Sequence, residues 1–237
     1  MFNKLIKFIP VTKEAGLASI EPQPSIKFIP DWYKTIPPFT NNEKKLHFPM
    51  NRATHNSTLK KCIPFLDAMT AGYMAVLDDD IYIEQIDSEP FIRWKSNVEM
   101  VTWHSKEQYE NLPIPNDFHN MVTKWHNEFV IKTPKGFSVY FTHPSNRIDL
   151  PFFTLSGFVD CDVYSQTVHF PFLLKKGFEG IIPSGTPVAQ IIPVKRESWQ
   201  GEREQYDHDT TYVETRKFFR TFANSYKKNW WVKKEYN

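Results

Sequence analysis

Five of the chain's eight glycines, Gly136, Gly157, Gly177, Gly180 and Gly185, fall between positions 136 and 185. Each stands where a short apolar run has to turn back, which glycine permits without steric cost. The runs are Glu128–Ile131, Phe137–Phe141, Thr154–Asp160, Thr167–Leu174 and Gly180–Val194, the last broken by Pro183-Ser184-Gly185-Thr186-Pro187. They are too short for helices that bury a face, and with turns at roughly 8–15-residue intervals they predict a body of short β-strands. Upstream, Tyr73–Leu77 and Ile81–Glu84 read as two further strands around Asp78-Asp79-Asp80. That triplet lacks the alternating ligands and the glycine of a calcium loop, so it reads as a charged hairpin turn.

Helical signals are few. Cys62–Thr70, with Pro64 near its start and Gly72 beyond its end, predicts one short helix. Ser105 with Gln108 three residues on has the form of a capping box. Asn116–Trp125 reads as a second helix. Towards the end of the chain, Tyr212, Phe219, Phe222, Tyr226 and Trp230 fall close to one helical face, with Arg216, Lys217, Arg220, Lys227 and Lys228 mostly off it. This predicts a C-terminal amphipathic helix packed on the body or on a partner.

A hydrophobic content of 41% and an aromatic content of 16% over 237 residues are ample for a core and exclude global disorder. The opening MFNKLIKFIP has neither a long apolar core nor a small-residue cleavage site, and no run reaches the length of a membrane span. The expected location is cytoplasmic. Cys62 and Cys161 match no ligand spacing and read as two reduced, partly buried thiols. The net charge is +2, yet residues 211–237 hold seven Lys/Arg against two Glu, a local +5 that leaves the remainder at −3. A basic end of this kind fits nucleic acid, a membrane surface or an acidic partner, or is simply the solvated face of a helix.

The chain divides by composition into a proline-rich extended arm (1–60), a β-rich body (61–200) and a linker with a basic helix (201–237), all within one structural domain. In the arm, Ile6-Lys7-Phe8-Ile9-Pro10 recurs as Ile26-Lys27-Phe28-Ile29-Pro30. Two copies of five residues are no solenoid. Trp32, Tyr33 and Phe39 are its expected anchors, on its own body or on a neighbouring subunit.

Three patches occur in a telling order: Ala71-Gly72-Tyr73 before a strand, Gly157-Phe158-Val159-Asp160-Cys161-Asp162-Val163-Tyr164, and Gly185-Thr186-Pro187-Val188-Ala189-Gln190-Ile191. In these the sequence resembles the dUTPase and dCTP deaminase superfamily, which implies a β-clip barrel of short strands. The resemblance implies that Asp160 would orient and deprotonate a water attacking a nucleotide phosphate, a task suited to a carboxylate at a fixed position. Tyr164 would stack on the base or sugar, Gln190 would lie beside the pocket, and Mg²⁺ would accompany a bound nucleotide. Sites between the subunits of a homotrimer are implied as well.

The chain also departs from that pattern. Met74 stands where the first motif has aspartate, and the arginine–serine motif is replaced by Lys135-Gly136-Phe137-Ser138 and by Ser145-Asn146-Arg147. Lys135, Ser145 and Arg147 are therefore the candidates for ligand contact. No glycine-rich, arginine-containing closing segment is present, and the strand from Thr167 to Phe172 offers His169 but no acid for deamination.

A rival pattern, Gly177-x5-Pro183-x-Gly185, fits a cupin motif until Val188 takes the place of the metal-binding histidine, and His143 lacks partners at cupin spacing. Metal-dependent oxygenase chemistry, which needs three or four converging ligands, is therefore not expected. Asp207-His208-Asp209 reads as the cap of the last helix, and Trp230-Trp231 as aromatic anchors for a partner. The block Cys62–Tyr73, with Pro183–Pro187 and Ile191-Ile192-Pro193, is similar to proteins of tailed phages, including those of marine bacteria.

Together these readings predict a phage-type protein on a dUTPase-like scaffold with an incomplete catalytic set, more a binder than an enzyme. It would hold a small ligand, a nucleotide being the class that the resemblance implies, near Asp160, Tyr164 and Gln190, or serve in an assembly. Two alternatives stay open: an active nucleotide pyrophosphatase or deaminase using Arg147 and Lys135, and a virion or host-interaction protein working through its arm and basic tail.

Overall fold

The computed structural model describes residues 4–40, 58–220 and 225–237. In chain order its first half holds β1 (Lys7–Pro10), α1 (Lys13–Ala18), β2 (Gln23–Pro24), α2 (Asp31–Thr35), α3 (Ile63–Thr70), β3 (Tyr73–Val76), β4 (Ile81–Ile86), β5 (Glu89–Arg93) and β6 (Val101–Trp103). The second half holds β7 (Thr123–Trp125), β8 (Phe129–Lys132), β9 (Phe137–Thr142), β10 (Phe152–Thr154), β11 (Gly157–Val159), β12 (Phe170–Leu174), β13 (Gly180–Ile182), β14 (Pro187–Lys195), α4 (His208–Arg220) and α5 (Ser225–Asn229). The chain is mainly β, as its short glycine-punctuated runs predict.

All the strand pairings are antiparallel. They build a five-stranded sheet β11-β9-β14-β3-β2, a four-stranded sheet β10-β12-β7-β6, a three-stranded sheet β13-β4-β5 and the pair β1-β8. The core lies between the sheets. Trp125 of β7 stacks on Phe172 of β12 with centroids 3.7 Å apart, and Phe152 of β10 meets both rings edge-on. Stacked and edge-to-face rings satisfy their quadrupoles while burying large apolar areas.

The strand β14 shows how sequence sets local structure. Pro187–Ile191 is buried throughout, side chains of both faces included. A bulge at Val188 breaks its register with β3, and the Thr154 hydroxyl donates to the Val188 carbonyl at 2.5 Å. Pro193 is tolerated because β3 pairs only as far as Ile191, whereas β9 continues to Lys195; a missing N–H there interrupts no ladder.

Two expectations need correcting. Asp78-Asp79-Asp80 is not a hairpin turn, since β3 and β4 belong to different sheets. It is a crossing between sheets and runs beside the second crossing, Pro183–Pro187: the Gly185 N–H donates to Leu77 O at 2.8 Å, and the Leu77 N–H to Thr186 O at 3.0 Å. Each aspartate secures a different segment by accepting backbone N–H groups. Asp78 takes Ile20 at 2.5 Å, Asp79 takes Ser96 at 2.7 Å and Lys95 at 3.1 Å, and Asp80 takes Ser184 at 2.8 Å. Asn116–Trp125 is not a helix either. It runs irregularly into β7, whose two edges are filled by β6 and β12 and whose Thr123 and Trp125 are fully buried. Strand partners on both sides outweigh a local helical pattern.

The N-terminal segment lies on its own body. β1 pairs with β8, β2 pairs with β3, and buried Tyr33 stacks on Phe65 of α3 at 6.0 Å. Ser105 and Gln108 form the expected capping box around a single 3₁₀ turn. Both cysteines are free, Cys161 buried and Cys62 half-buried. Asp207 caps α4, accepting from the Asp209 N–H at 3.0 Å and from the Thr210 hydroxyl at 2.5 Å. On α4, Tyr212 and Val213 are half exposed; Phe222 lies outside the described residues, as does the side chain of Phe219.

After α5 the chain returns to the body. Trp231 Nε1 donates to Asp67 at 2.8 Å, Lys234 bonds the same carboxylate at 2.9 Å, and Tyr236 packs edge-on against Tyr73. Trp231, expected to anchor a partner, thus anchors its own chain. Among the described residues no helix is long and apolar enough to cross a membrane.

Candidate functional site

The motif Gly157–Tyr164 is divided between edge strand β11 and a tight turn. Val159 pairs with Val139, so Asp160 comes level with Ser138, whose hydroxyl donates to Asp160 Oδ1 at 2.6 Å. The turn closes where the N–H groups of Val163 and Tyr164 both donate to the Asp160 carbonyl, at 3.0 and 2.9 Å. Lys132 Nζ secures its far side by donating to Tyr164 O at 2.8 Å and to Ser165 Oγ at 2.7 Å. This leaves the Tyr164 side chain partly open to solvent, the residue being 44% exposed. Lys135 is exposed at the same end of β9, next to Gly136.

Arg196 organises this end, and sequence reasoning did not single it out. It follows the last residue of β14, and its N–H donates to Gly136 O at 2.8 Å. Its Nη1 lies 3.1 Å from Asp160 Oδ1 and 2.8 Å from Asp162 Oδ1, while Nη2 pairs with Asp162 Oδ2. Asp162 Oδ2 also accepts the Gly136 N–H at 2.8 Å. The Arg196 bonds, with the Gly136 amide, hold the Asp162 carboxyl far below the usual carboxylate range, and Arg196 is raised in turn. The side chain of Asp162 is 4% exposed and that of Asp160 57%. Asp162 is therefore the clamp and Asp160 the open member. The groove beside them, about 480 Å³, is lined by Ser138, Phe158, Val194, Arg196 and Trp199.

The other candidates lie at the opposite end of β9. Gln190 is level with Thr142 and fully buried. Its Nε2 donates to Ala68 O at 2.8 Å and Ala71 O at 2.7 Å, and its Oε1 accepts the Ser145 N–H at 2.9 Å. It ties β14 to the end of α3 and to the loop after β9; its amide is spent inside the chain and is not presented to solvent. Ser145 serves the same tie through its backbone. The Arg147 guanidinium holds Asp149 bidentately, Nε at 3.0 Å and Nη2 at 2.8 Å, and its side chain is only 14% exposed. Burial acts to raise the Asp149 carboxyl, but Arg147 more than offsets it and leaves Asp149 below its ordinary value. Arg147 borders a second hollow of about 430 Å³, walled by Leu150, Phe178, Ile181 and the Pro183–Pro187 turn.

Lys135, Asp160 and Tyr164 thus form one group and Ser145, Arg147 and Gln190 another. Ser138 and Thr142 mark the two ends, four residues apart on β9, about 13 Å at the rise of an extended strand. His143, the rival pattern's candidate ligand, is a core residue: its Nδ1 accepts the Thr154 N–H at 3.2 Å and its Nε2 meets Arg147 O at 3.0 Å. Among the described residues no cluster of three or more His, Cys, Asp or Glu is placed to hold a metal ion.

No family model matches the chain, and no curated protein matches it. Among solved structures the chain is similar to a mutant dUTPase from phage phi11 of S. aureus, described for the coordination of a structural Mg(II) ion. The likeness covers 58% of this chain and 84% of that one, with 12% identity and a TM-score of 0.33.

Proposed function

We propose that this protein is a ligand-binding or assembly protein on a dUTPase-like β-clip scaffold, phage-type in character, without the working catalytic set of the hydrolases it resembles. One observation carries the reading: the arginine that phosphate binding would need is paired within the chain, the Arg147 guanidinium being held by Asp149. A phosphate-binding arginine must offer its fork. Asp160 has only Oδ1 engaged, by Ser138 and Arg196, and its side chain is 57% exposed, so what is lacking is the phosphate grip and not a carboxylate able to offer a lone pair.

The exposed Tyr164 ring and the groove beside Asp160 offer a place for a small ligand, with a nucleotide the class that the motif resemblance suggests. Any Mg²⁺ would arrive with the phosphates. The two groups at the ends of β9 would meet only across a subunit boundary, which fits the trimer implied by the same resemblance. The measurement that tests this is a thermal-shift screen against nucleoside mono-, di- and triphosphates, with and without Mg²⁺, alongside an assay for pyrophosphate release. A ligand bound only by the folded state raises the melting temperature. The expected result is a shift without turnover, lost in Asp160→Ala. Turnover abolished by Asp160→Asn would establish a hydrolase instead.

A second reading, a virion or host-interaction role, is favoured by the aromatic residues displayed after β14: Trp199 is 87% exposed and Tyr206 76%. Absence of any nucleotide shift, together with loss of self-association or partner capture on deleting residues 211–237, would move the conclusion there.

A further inference from the structure

His126 and His169 face one another across β7 and β12. Trp125 is level with Phe170 in that antiparallel pair, so the residue after one strand meets the residue before the other. Their rings stack with centroids 4.2 Å apart and planes 27° from parallel. His126 is held firmly: its N–H donates to Met100 O at 3.0 Å, its Nε2 lies 2.8 Å from the Thr102 hydroxyl, and its Nδ1 lies 3.6 Å from a Glu99 carboxylate oxygen. His169 is different, since its Nδ1 is buried and has no hydrogen-bond partner among the described residues. The charged groups acting on the pair are Glu99, from the stretch before β6, and Lys124, from β7.

We propose that this histidine pair is a pH-sensitive latch: mild acid parts the rings and frees residues 166–169, the end of the loop that neither Arg196 nor Lys132 holds. No strand lies between Val159 and Phe170, so the stack closes the far end of that loop. A proton on His169 Nδ1 would create a buried N–H with no acceptor, a costly arrangement. A proton on His126 has Glu99 beside it, but it opposes a second proton on the ring stacked against it. Burial works against charging either ring, and Lys124 adds to that, while Glu99 opposes it. Parted, hydrated rings bind protons more readily than stacked ones, so lowering the pH draws population to the parted state.

The latch is independent of what the loop binds. It is tested by backbone ¹⁵N order parameters of residues 166–169 at about pH 7.5 and pH 5.5, in the full chain and in His169→Phe, which keeps a ring but cannot titrate. In the unaltered chain they are expected to fall from about 0.85 at the higher pH to about 0.6 or below at the lower, and to stay level in His169→Phe. No fall in the unaltered chain, or an equal fall in the variant, overturns the proposal. Should the variant fail to fold, imidazole ¹⁵N shifts of the unaltered chain decide: two separated titration steps below the ordinary histidine range support the pair, and independent titration of both rings at the ordinary value refutes it.

Discussion

At Gly72 the backbone sits at φ +66°, and an added Cβ would collide with the Ile191 carbonyl oxygen of β14. Its carbonyl accepts the Ser25 N–H at 3.0 Å, so the residue lets β14 and the N-terminal segment approach one point. Gly72→Ala meets both the strained φ and the clash and should cost about 3 kcal/mol or more, measured by urea unfolding; a loss under about 1 kcal/mol would mean the approach is looser than drawn. Gln190 is fully buried and holds three backbone groups at once. Gln190→Leu keeps the approximate volume but removes the donor to the Ala68 carbonyl and the acceptor for the Ser145 N–H, while the Ala71 carbonyl keeps only the Ser25 hydroxyl. A loss of about 3 kcal/mol is expected, and an unchanged unfolding midpoint would show that water replaces the amide. The motif that drew attention to Gln190 was legible in the sequence. Its role was not, because the spacing of Gly185 and Gln190 says nothing of what lies above the strand.

At the scale of elements, the crossing Asp78–Asp80 acts as a junction that no single strand pairing could supply. Asp79→Ala removes the acceptor for the Ser96, Lys95 and Asp80 amides and should cost about 2 kcal/mol, with faster amide exchange confined to residues 80, 95 and 96; a uniform change in exchange would place the effect elsewhere. The sequence marks this triplet as a polar break between strands and leaves open whether the break folds a hairpin or passes between sheets. Beside its neighbour β5, β4 pairs with β13, some hundred residues away in the chain, and long-range pairing of that kind leaves no local trace. The C-terminal return is a second such device. Trp231 and Lys234 share Asp67, and Tyr236 packs on Tyr73, whose hydroxyl donates to the Asn237 carbonyl at 3.1 Å. Deleting residues 231–237 should cost about 2–4 kcal/mol and lower the melting temperature by roughly 5–15 °C. An unchanged melting temperature would mean the tail rests on the body without stabilising it.

For the molecule as a whole, mild acid is the condition that the buried histidines oppose, while burial pushes the Asp78 and Glu128 carboxyls up, a contribution of the other sign. His119, His126, His143 and His169 all have their proton affinity lowered in the fold, burial being the largest cause in each. The unfolded chain titrates these rings near the ordinary histidine value of about 6.5, so between that value and the lowered folded values it binds more protons than the folded chain does. Stability is therefore fully present above pH about 6.5 and falls as the pH drops through it, by up to about 1.4 kcal/mol per unit for each ring. Asp162, held low by Arg196 and Gly136, adds a loss of the same sign only below the ordinary carboxylate value of about 3.9. Melting curves at about pH 7.5, 6.5 and 5.5 check this; a melting temperature that rises or holds steady toward pH 5.5 would show that these rings are not buried neutral.

The pentapeptide Ile-Lys-Phe-Ile-Pro separates what sequence determines from what it does not. At residues 6–10 it supplies β1, paired with β8, with Phe8 edge-on against Tyr73 at 5.2 Å. At 26–30 the same residues lie in a 3₁₀ turn and two extended residues beyond it, following Ser25, which is held by the Ala71 and Gly72 carbonyls. Identical local preferences thus give two conformations, because each copy meets different backbone partners. The short runs, their turn glycines, the capping box at Ser105 and the helix after Cys62 were decided by the chain itself, since each depends on neighbours within a few residues. Which strands pair, where Arg196 meets Asp160 and Asp162, and how His126 comes to lie on His169 depend on groups far apart in the chain, and only the packed sheets bring them within bonding distance.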